Sequence, residues 1–373
     1  MVTLSKLEQR KLEVVVKVVT GLMSRPKACQ ILECSDRTLR RYLKDYKARD
    51  VLFVKHKNSN KRPHNKKPDK EKEMALFLVR NKFYDFNILH LQEKLLEHGL
   101  DIKRETLRKW CHEIGMVKKA KRRRAHPRYK RQRYTQRGIL VQMDGSTHQW
   151  FGNEKSCLIA AVDDATSEIL YAEFYESEST FACLDFIKKV IEKHGVFQNL
   201  YVDKAGVYGG VKRSGFSQVE RALGELGTHV LYAHSPQAKG RIERLFNTLQ
   251  DRLIPEMRIN KVKTTKFANA FLREYIIGHN AKFGVVATNE VSAFGPFSKA
   301  LDTIFCVKEL RQVASDHTVS FRGEKYLINE RFKFSIHNQS IEIRCYDDEK
   351  WEAYFGGWPI KLIKIDQIQK IVA

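Results

Sequence analysis

ILVQMDGSTHQWFGNEKSCLIAAVDDATSEILYAEFY, residues 139–175, contains three apolar runs, Ile139 to Met143, Cys157 to Val162 and Glu168 to Phe174, parted by two polar turns. Runs of this length between Gly, Ser, Asn and Asp clusters predict strands, and turns this short join such strands as an antiparallel meander. The first strand is expected to end at Asp144 and the second at Asp163-Asp164. Downstream the pattern predicts a helix around Phe181 to His194 and a fourth strand, Leu200 to Val202, ending at Asp203. A helix from Phe216 to Leu226, a fifth strand from Thr228 to Tyr232 and a helix opening at Ser235-Pro236 follow. Pro suits a first helical turn because its missing N–H would have no partner there.

The order βββαβαβα is that of the ribonuclease H fold, and it sets particular acids together. The first and fourth strands are neighbours in this topology, which brings Asp144 and Asp203 together. Glu243 lies about two turns into the last helix, on the face of Lys239 and Asn247. Three converging carboxylates repel one another unless cations neutralise them, and hard oxygen ligands suit Mg²⁺, with Mn²⁺ as a substitute. Two such ions can activate an attacking water or 3′-hydroxyl and stabilise the leaving oxygen, so no side-chain nucleophile is required. Asp163 and Asp164 compete for a place in the triad, but a turn-capping or supporting role is expected of them. His148 is read as packing beside Trp150 and Phe151, and Ser235 as a helix cap. Lys239 and Arg241, on the helix of Glu243, are expected at DNA phosphates, with Lys204 a weaker candidate.

Charge separates this region from what precedes it. The chain of 373 residues carries 68 Lys and Arg against 44 Asp and Glu. Residues 1–137 hold 38 basic and 15 acidic side chains, a net +23, and the remainder is nearly neutral. That asymmetry predicts a polyanion-binding front attached to a part with another task. Residues 7–20 read as an amphipathic helix stopped by Gly21, with a second helix from Ser24-Arg25-Pro26 and a third capped by Ser35 or Asp36. In the third, Leu39 and Leu43 bury one stripe while Arg37, Arg40, Arg41 and Lys44 remain available to DNA, as in a helix-turn-helix. A similar unit follows, with Phe77, Leu78, Phe86, Leu89, Leu91, Leu95 and Leu96 as expected core and Arg104, Arg108 and Lys109 on its basic helix. From Lys118 to Arg137 no acid interrupts the basic residues, which predicts a solvated tail or an arm along phosphates.

Other classes are excluded as first readings. No apolar run is long enough to cross a membrane, and the charged start argues against secretion. Seven cysteines without a CxxC pair are expected to be reduced thiols rather than zinc ligands. Toward the carboxyl end, residues 245–283 continue as helix with a break expected near Pro255. Alternation in Thr318-Val319-Ser320-Phe321, Lys325-Tyr326-Leu327-Ile328, Ile341-Glu342-Ile343-Arg344 and Trp351-Glu352-Ala353-Tyr354 predicts short antiparallel strands.

The segments QMDGSTHQWFG, LIAAVDDATSEIL, YVDKAGVYGG and AHSPQAKGRIERLFNTLQDRLIPEMR resemble the catalytic core of bacterial insertion-sequence transposases of the DDE class, most of all the ISNCY group and its integrase-like relatives. The resemblance implies a catalytic and metal-binding triad of Asp144, Asp203 and Glu243, with 39 residues between the last two. The expected fold class is multidomain α+β, with tandem helix-turn-helix units, a ribonuclease H-like catalytic core and a small C-terminal SH3-like β-barrel. The expected boundaries are a first helix-turn-helix unit at 1–54, a basic linker at 55–72, a second helical unit at 73–117 and a basic arm at 118–137. The core at 138–283, a connector at 284–315 and the barrel at 316–373 complete the chain. The expected function is metal-dependent 3′-end cleavage at terminal inverted repeats and strand transfer into target DNA, using two Mg²⁺ ions. A homodimer or higher assembly on double-stranded DNA in the bacterial cytoplasm, associated with the nucleoid, is implied. The alternative is a transposase-derived DNA-binding regulator with an inactive core.

Overall fold

The computed structural model describes residues 4–56, 66–117, 131–203, 217–232, 240–298 and 300–365. The chain divides into two compact units, Met1–Glu73 and Met74–Ala373. Helices α1 (Lys6–Val19), α2 (Arg25–Leu32) and α3 (Asp36–Arg49) make the first. Ser5 and Glu8 close a reciprocal cap on α1, and Ser35 accepts from the Thr38 N–H to cap α3. Between α2 and α3 the chain turns at Glu33, which has φ 48°. Val14, Ala28 and Leu39 pack at the centre, while Arg37, Arg40 and Arg41 are exposed as expected.

The second unit opens with α4 (Asp69–Asn81), α5 (Ile88–Glu97) and α6 (Arg104–Glu113). Its core is Ala75, Val79, Phe83, Phe86, Leu91, Leu95, Leu107 and Trp110. Phe77, Leu89 and Leu96, expected inside, are instead exposed. Each helix has one inward stripe, set by Ala75 with Val79 and by Leu91 with Leu95 at i, i+4. Phe77 and Leu89 lie about 200° around the helix from those positions, and Leu96 about 100°.

Five strands then form one sheet in the order β3-β2-β1-β4-β5: β1 (Leu140–His148), β2 (Ser156–Asp163), β3 (Ile169–Tyr175), β4 (Asn199–Val202) and β5 (His229–Tyr232). β1 pairs antiparallel with β2 and parallel with β4. One face is covered by α7 (Thr180–His194) and α8 (Gln218–Gly224), whose Phe186, Ile187, Val190 and Leu223 pack with Val141, Met143 and Ile159. The other is covered by α9 (Gly240–Ile259) and α10 (Thr265–Phe283), whose Ile242, Leu249, Leu253 and Leu272 pack with Leu158, Ala160 and Val162. β1 outruns its expected end at Asp144 because antiparallel pairing with β2 continues to His148, opposite Ser156. α9 likewise runs through Pro255 instead of breaking there. Burial of Leu253 and Met257 on either side outweighs the hydrogen bond that a proline removes. The chain leaves the helix at Lys261, with φ 54°.

The segment after α10 is packed rather than loose. Its Gly295 bonds Val196 in both directions at 2.8 Å, and Phe294 lies so close to Gly138 that a Cβ there would sit 2.7 Å from its ring. With φ +88°, that position needs glycine on both counts. After α11 (Leu301–Ile304), strand β6 (Val307–Gln312) already belongs to the C-terminal β unit, which therefore starts before Asp316. β7 (Thr318–Phe321), β8 (Glu324–Ile328), β9 (Ser340–Cys345), β10 (Trp351–Phe355), β11 (Trp358–Ile360) and β12 (Leu362–Lys364) follow. They form sheets β11-β10-β9-β6 and β12-β8-β7 around Val319, Phe321, Ile336, Ile341 and Ile343. All seven cysteines are free thiols, and no helix among the described residues is long and apolar enough to cross a membrane.

Candidate active site

The parallel register of β1 and β4 pairs Leu140 with Asn199, Val141 with Leu200 and Gln142 with Tyr201. Continued by two residues, it sets Asp144 level with Asp203, on strands whose neighbours lie about 5 Å apart. Asp144 also pairs with Ala160, which packs on the α9 and α10 face of the sheet. The α9 first turn is tied to the same edge, because the Ile242 N–H donates to Gln142 Oε1 at 3.4 Å. Further along, Gln250 Nε2 donates to Ser146 Oγ at 3.3 Å. Glu243 is seven residues before Gln250, so it occupies the flank of α9 that runs along β1, and it is exposed there. Among the described residues no three His, Cys, Asp or Glu side chains gather closely enough to hold a metal ion. The two aspartates are thus level on neighbouring strands, while Glu243 stays on its helix flank. Lys204, Ser235 and Lys239 lie outside the described residues.

Asp163 and Asp164 are both fully buried, in different roles. Asp163 builds its turn, accepting from Thr166 N and Oγ1 at 2.9 and 3.1 Å and from Gly138 N at 2.8 Å. Burial holds its carboxyl above the usual range despite those bonds. Asp164 is a hub. It accepts from Gln142 Nε2 at 2.8 Å, Arg241 Nε at 2.6 Å and Tyr134 N at 3.1 Å, and it pairs with Arg131. Burial pushes its carboxyl up, but the Arg241 bond, the Tyr134 N–H and the arginine charges outweigh it and hold the group below the usual range.

Two expectations change here. Arg241, expected at a DNA phosphate, has its side chain only 12% exposed and turned inward to Asp164. A carboxylate without water must have a cation, and Arg241 is the nearest helical one. The end of the basic arm is likewise docked on the core. Arg133 Nη1 donates to Ser167 Oγ at 2.7 Å and to the carbonyls of Asp164 and Ala165, and Arg137 pairs with Glu168 at 2.9 Å. Gln142 was missed in the sequence, although a lone amide within an apolar strand is a signal of a buried hydrogen-bonding task. It joins Asp164 to the backbone of α9 two residues before Asp144. His148, expected to pack, is exposed and touches Trp150 edge-on at 5.7 Å. On the second helical unit Arg104, Arg108 and Lys109 are exposed, with Arg108 engaged by Glu105 at 2.6 Å.

The protein y4bF of Sinorhizobium fredii, which bears the name transposase, is 31% identical over 385 residues, spanning 100% of this chain and 84% of that protein. The chain belongs to the transposase family. The transposase of insertion sequence IS1202 from Streptococcus pneumoniae is 28% identical, across 92% of this chain and 83% of its own length. No protein-family model matches. Among solved structures, the transposase chain is similar to a simian T-cell lymphotropic virus intasome bound to a PP2A regulatory subunit, with TM-score 0.38 and 13% identity over 79% of this chain and 98% of that one. The bovine immunodeficiency virus integrase core gives 0.31 and 22%, over 40% and 88%. The HTLV-2 integrase core solved with magnesium gives 0.32 and 11%, over 42% and 94%. At scores this low the architecture of the transposase stands on its own strand order and register.

Proposed function

We propose that the protein is an insertion-sequence DNA transposase that binds terminal inverted repeats, cleaves the 3′ strand ends and joins them to target DNA by metal-dependent phosphoryl transfer. The observation that carries the reading is the β1 and β4 register, which sets Asp144 level with Asp203 beside the helix of Glu243. These three carboxylates are the proposed ligands of two Mg²⁺ ions. An oxygen-only donor set of this charge fits hard, octahedral cations. When bound, the ions neutralise phosphate charge and lower the pKa of an attacking hydroxyl. Carboxylates repel one another until cations neutralise them; Asp144, Asp203 and Glu243 would hold the ions, while Gln142 and Asp164 tie the first turn of α9 to β1.

The element order of the core supports a ribonuclease H-like reading, and the two β sheets at the end support a small SH3-like barrel. Helices α2 and α3 are read as one helix-turn-helix, with Arg37, Arg40 and Arg41 toward DNA. Helices α5 and α6 are read as a second, with Arg104, Arg108 and Lys109. Holding both ends of an element for joining calls for a dimer or higher assembly on DNA. The rival, a DNA-binding regulator with an inert core, draws on Glu243 not joining the two aspartates in one group of three among the described residues. Incubating the protein with duplexes of the element's own ends and Mg²⁺ decides between them. The transposase yields nicked 3′ ends and joined products that disappear on chelation, whereas binding without cleavage establishes the regulator.

A further inference from the structure

A cleft of about 260 Å³ opens beside α9, walled by Arg133, Arg241, Arg244, Ser167 and Thr248, with Phe283 of α10 behind them. Arg241, Arg244 and Thr248 recur at i, i+3 and i+7, so they share one face of α9, apart from the flank of Glu243 and Gln250. Among the described residues no acid lines the cleft. Behind it the buried Asp164 already serves both Arg131 and Arg241. Arg133 is held by two carbonyls and a hydroxyl, none of which bears a full charge. Among the described residues Arg244 bonds the Gly240 carbonyl, through Nε, and no carboxylate. Burial and then the charges of Arg241 and Arg244 press the Arg133 guanidinium below its usual range, so the three cations crowd one another.

We infer that this cleft seats a backbone phosphate of DNA. Crowded guanidinium groups that lack a full set of counter-ions gain most from an anion, and their forks match phosphate oxygens. Ser167 offers a neutral hydroxyl of the kind that commonly completes such contacts, while the Thr248 hydroxyl on the cleft wall donates to the Arg244 carbonyl at 2.8 Å. Two features favour a polymer over a free phosphate. Arg133 belongs to the basic run from Lys118 to Arg137 in the sequence, and the cleft lies on the same helix as Glu243. Asp164 bonds Arg241 through its carboxylate and Arg133 through its carbonyl, and it reaches the α9 first turn through Gln142, so a strand seated here is held in fixed relation to that turn.

The inference rests on the transposase reading, and the test separates the two. Affinity for an end duplex is measured across a salt series for the wild-type protein, Arg244→Ala, Arg244→Lys, Thr248→Glu and the double variant Arg244→Ala with Thr248→Glu. Losing one phosphate contact flattens the slope of log affinity against log salt by about 0.9 and weakens binding about tenfold at physiological salt. Arg244→Ala and Thr248→Glu each show this loss, their effects do not add, and Arg244→Lys keeps the wild-type slope. Wild-type slopes in both single variants, or additive losses in the double variant, overturn the cleft alone. Wild-type protein that binds no end duplex overturns both the cleft and the transposase reading.

Discussion

Asp164 is the buried hub beside the proposed triad. Its buried carboxylate is bonded to Gln142 on β1 and to Arg241 on α9, and Gln142 reaches the Ile242 N–H immediately before Glu243. Asp164→Asn keeps the shape but removes the charge that holds Arg241. Partners of this kind, one step removed from ligands, typically change metal affinity or activity 10- to 100-fold. The variant is expected to need about 10 to 100 times more Mg²⁺ for half-maximal cleavage, with near-normal binding of end DNA. An unchanged Mg²⁺ dependence would remove the positioning role. The three acids of the proposed triad stand out in the sequence because each falls beside an apolar strand or on an amphipathic helix. The hub was not, since Arg131, Gln142, Asp164 and Arg241 are brought together only by the sheet order.

At the scale of elements, structure was readable where one periodic stripe had a single burial face, as in α7, or where an unbroken apolar run is buried on both faces, as in β2. The departures came where pairing or burial overrode local signals, in the extension of β1 past Asp144 and the passage of α9 through Pro255. α10 contains a pH-sensitive group of its own. His279 is buried, and that burial pushes its imidazole down to about 4. The unfolded chain takes up this proton near 6.5, so the unfolded state binds more protons between the two values and stability falls as pH drops from about 6.5 to about 4. The shift corresponds to a loss on the order of 3 kcal/mol. Thermal melts of His279→Leu across this range are expected to show a shallower decline than wild type, and parallel declines would count against the assignment.

For the whole molecule, the least expected feature is how the second helical unit joins the catalytic core. Sequence suggested separate modules, but α5 and the loop before it meet α9 and α10 through charged pairs. His90 Nε2 and Lys94 Nζ lie 2.7 and 2.9 Å from Glu256 Oε1, Arg252 pairs with Glu93 at 2.9 Å, and Arg258 pairs with Asp85 at 2.6 Å. Burial raises the Glu256 carboxyl, but His90 and Lys94 outweigh it and leave the group below its ordinary value. Its contribution is therefore present above the unfolded carboxylate pKa and lost as pH falls below it. Glu256→Ala removes the partner of the Lys94 ammonium and of the His90 ring and is expected to cost about 3 to 5 kcal/mol, read as a lower denaturation midpoint. A midpoint within about 0.5 kcal/mol of wild type would mean that the docking is apolar in origin. Such pairs join residues far apart in sequence, so no local pattern announces them, whereas the basic front of residues 1–137 was visible from counting alone.

Conversion of a labelled end duplex by Asp203→Asn, followed in a single turnover with Mg²⁺ beside a binding titration of the same protein, tests the central claim most directly. The account predicts that cleavage falls below detection while affinity for the duplex stays within about twofold, because the charge removed belongs to metal binding and not to DNA recognition. Cleavage at the wild-type rate by Asp203→Asn would contradict it.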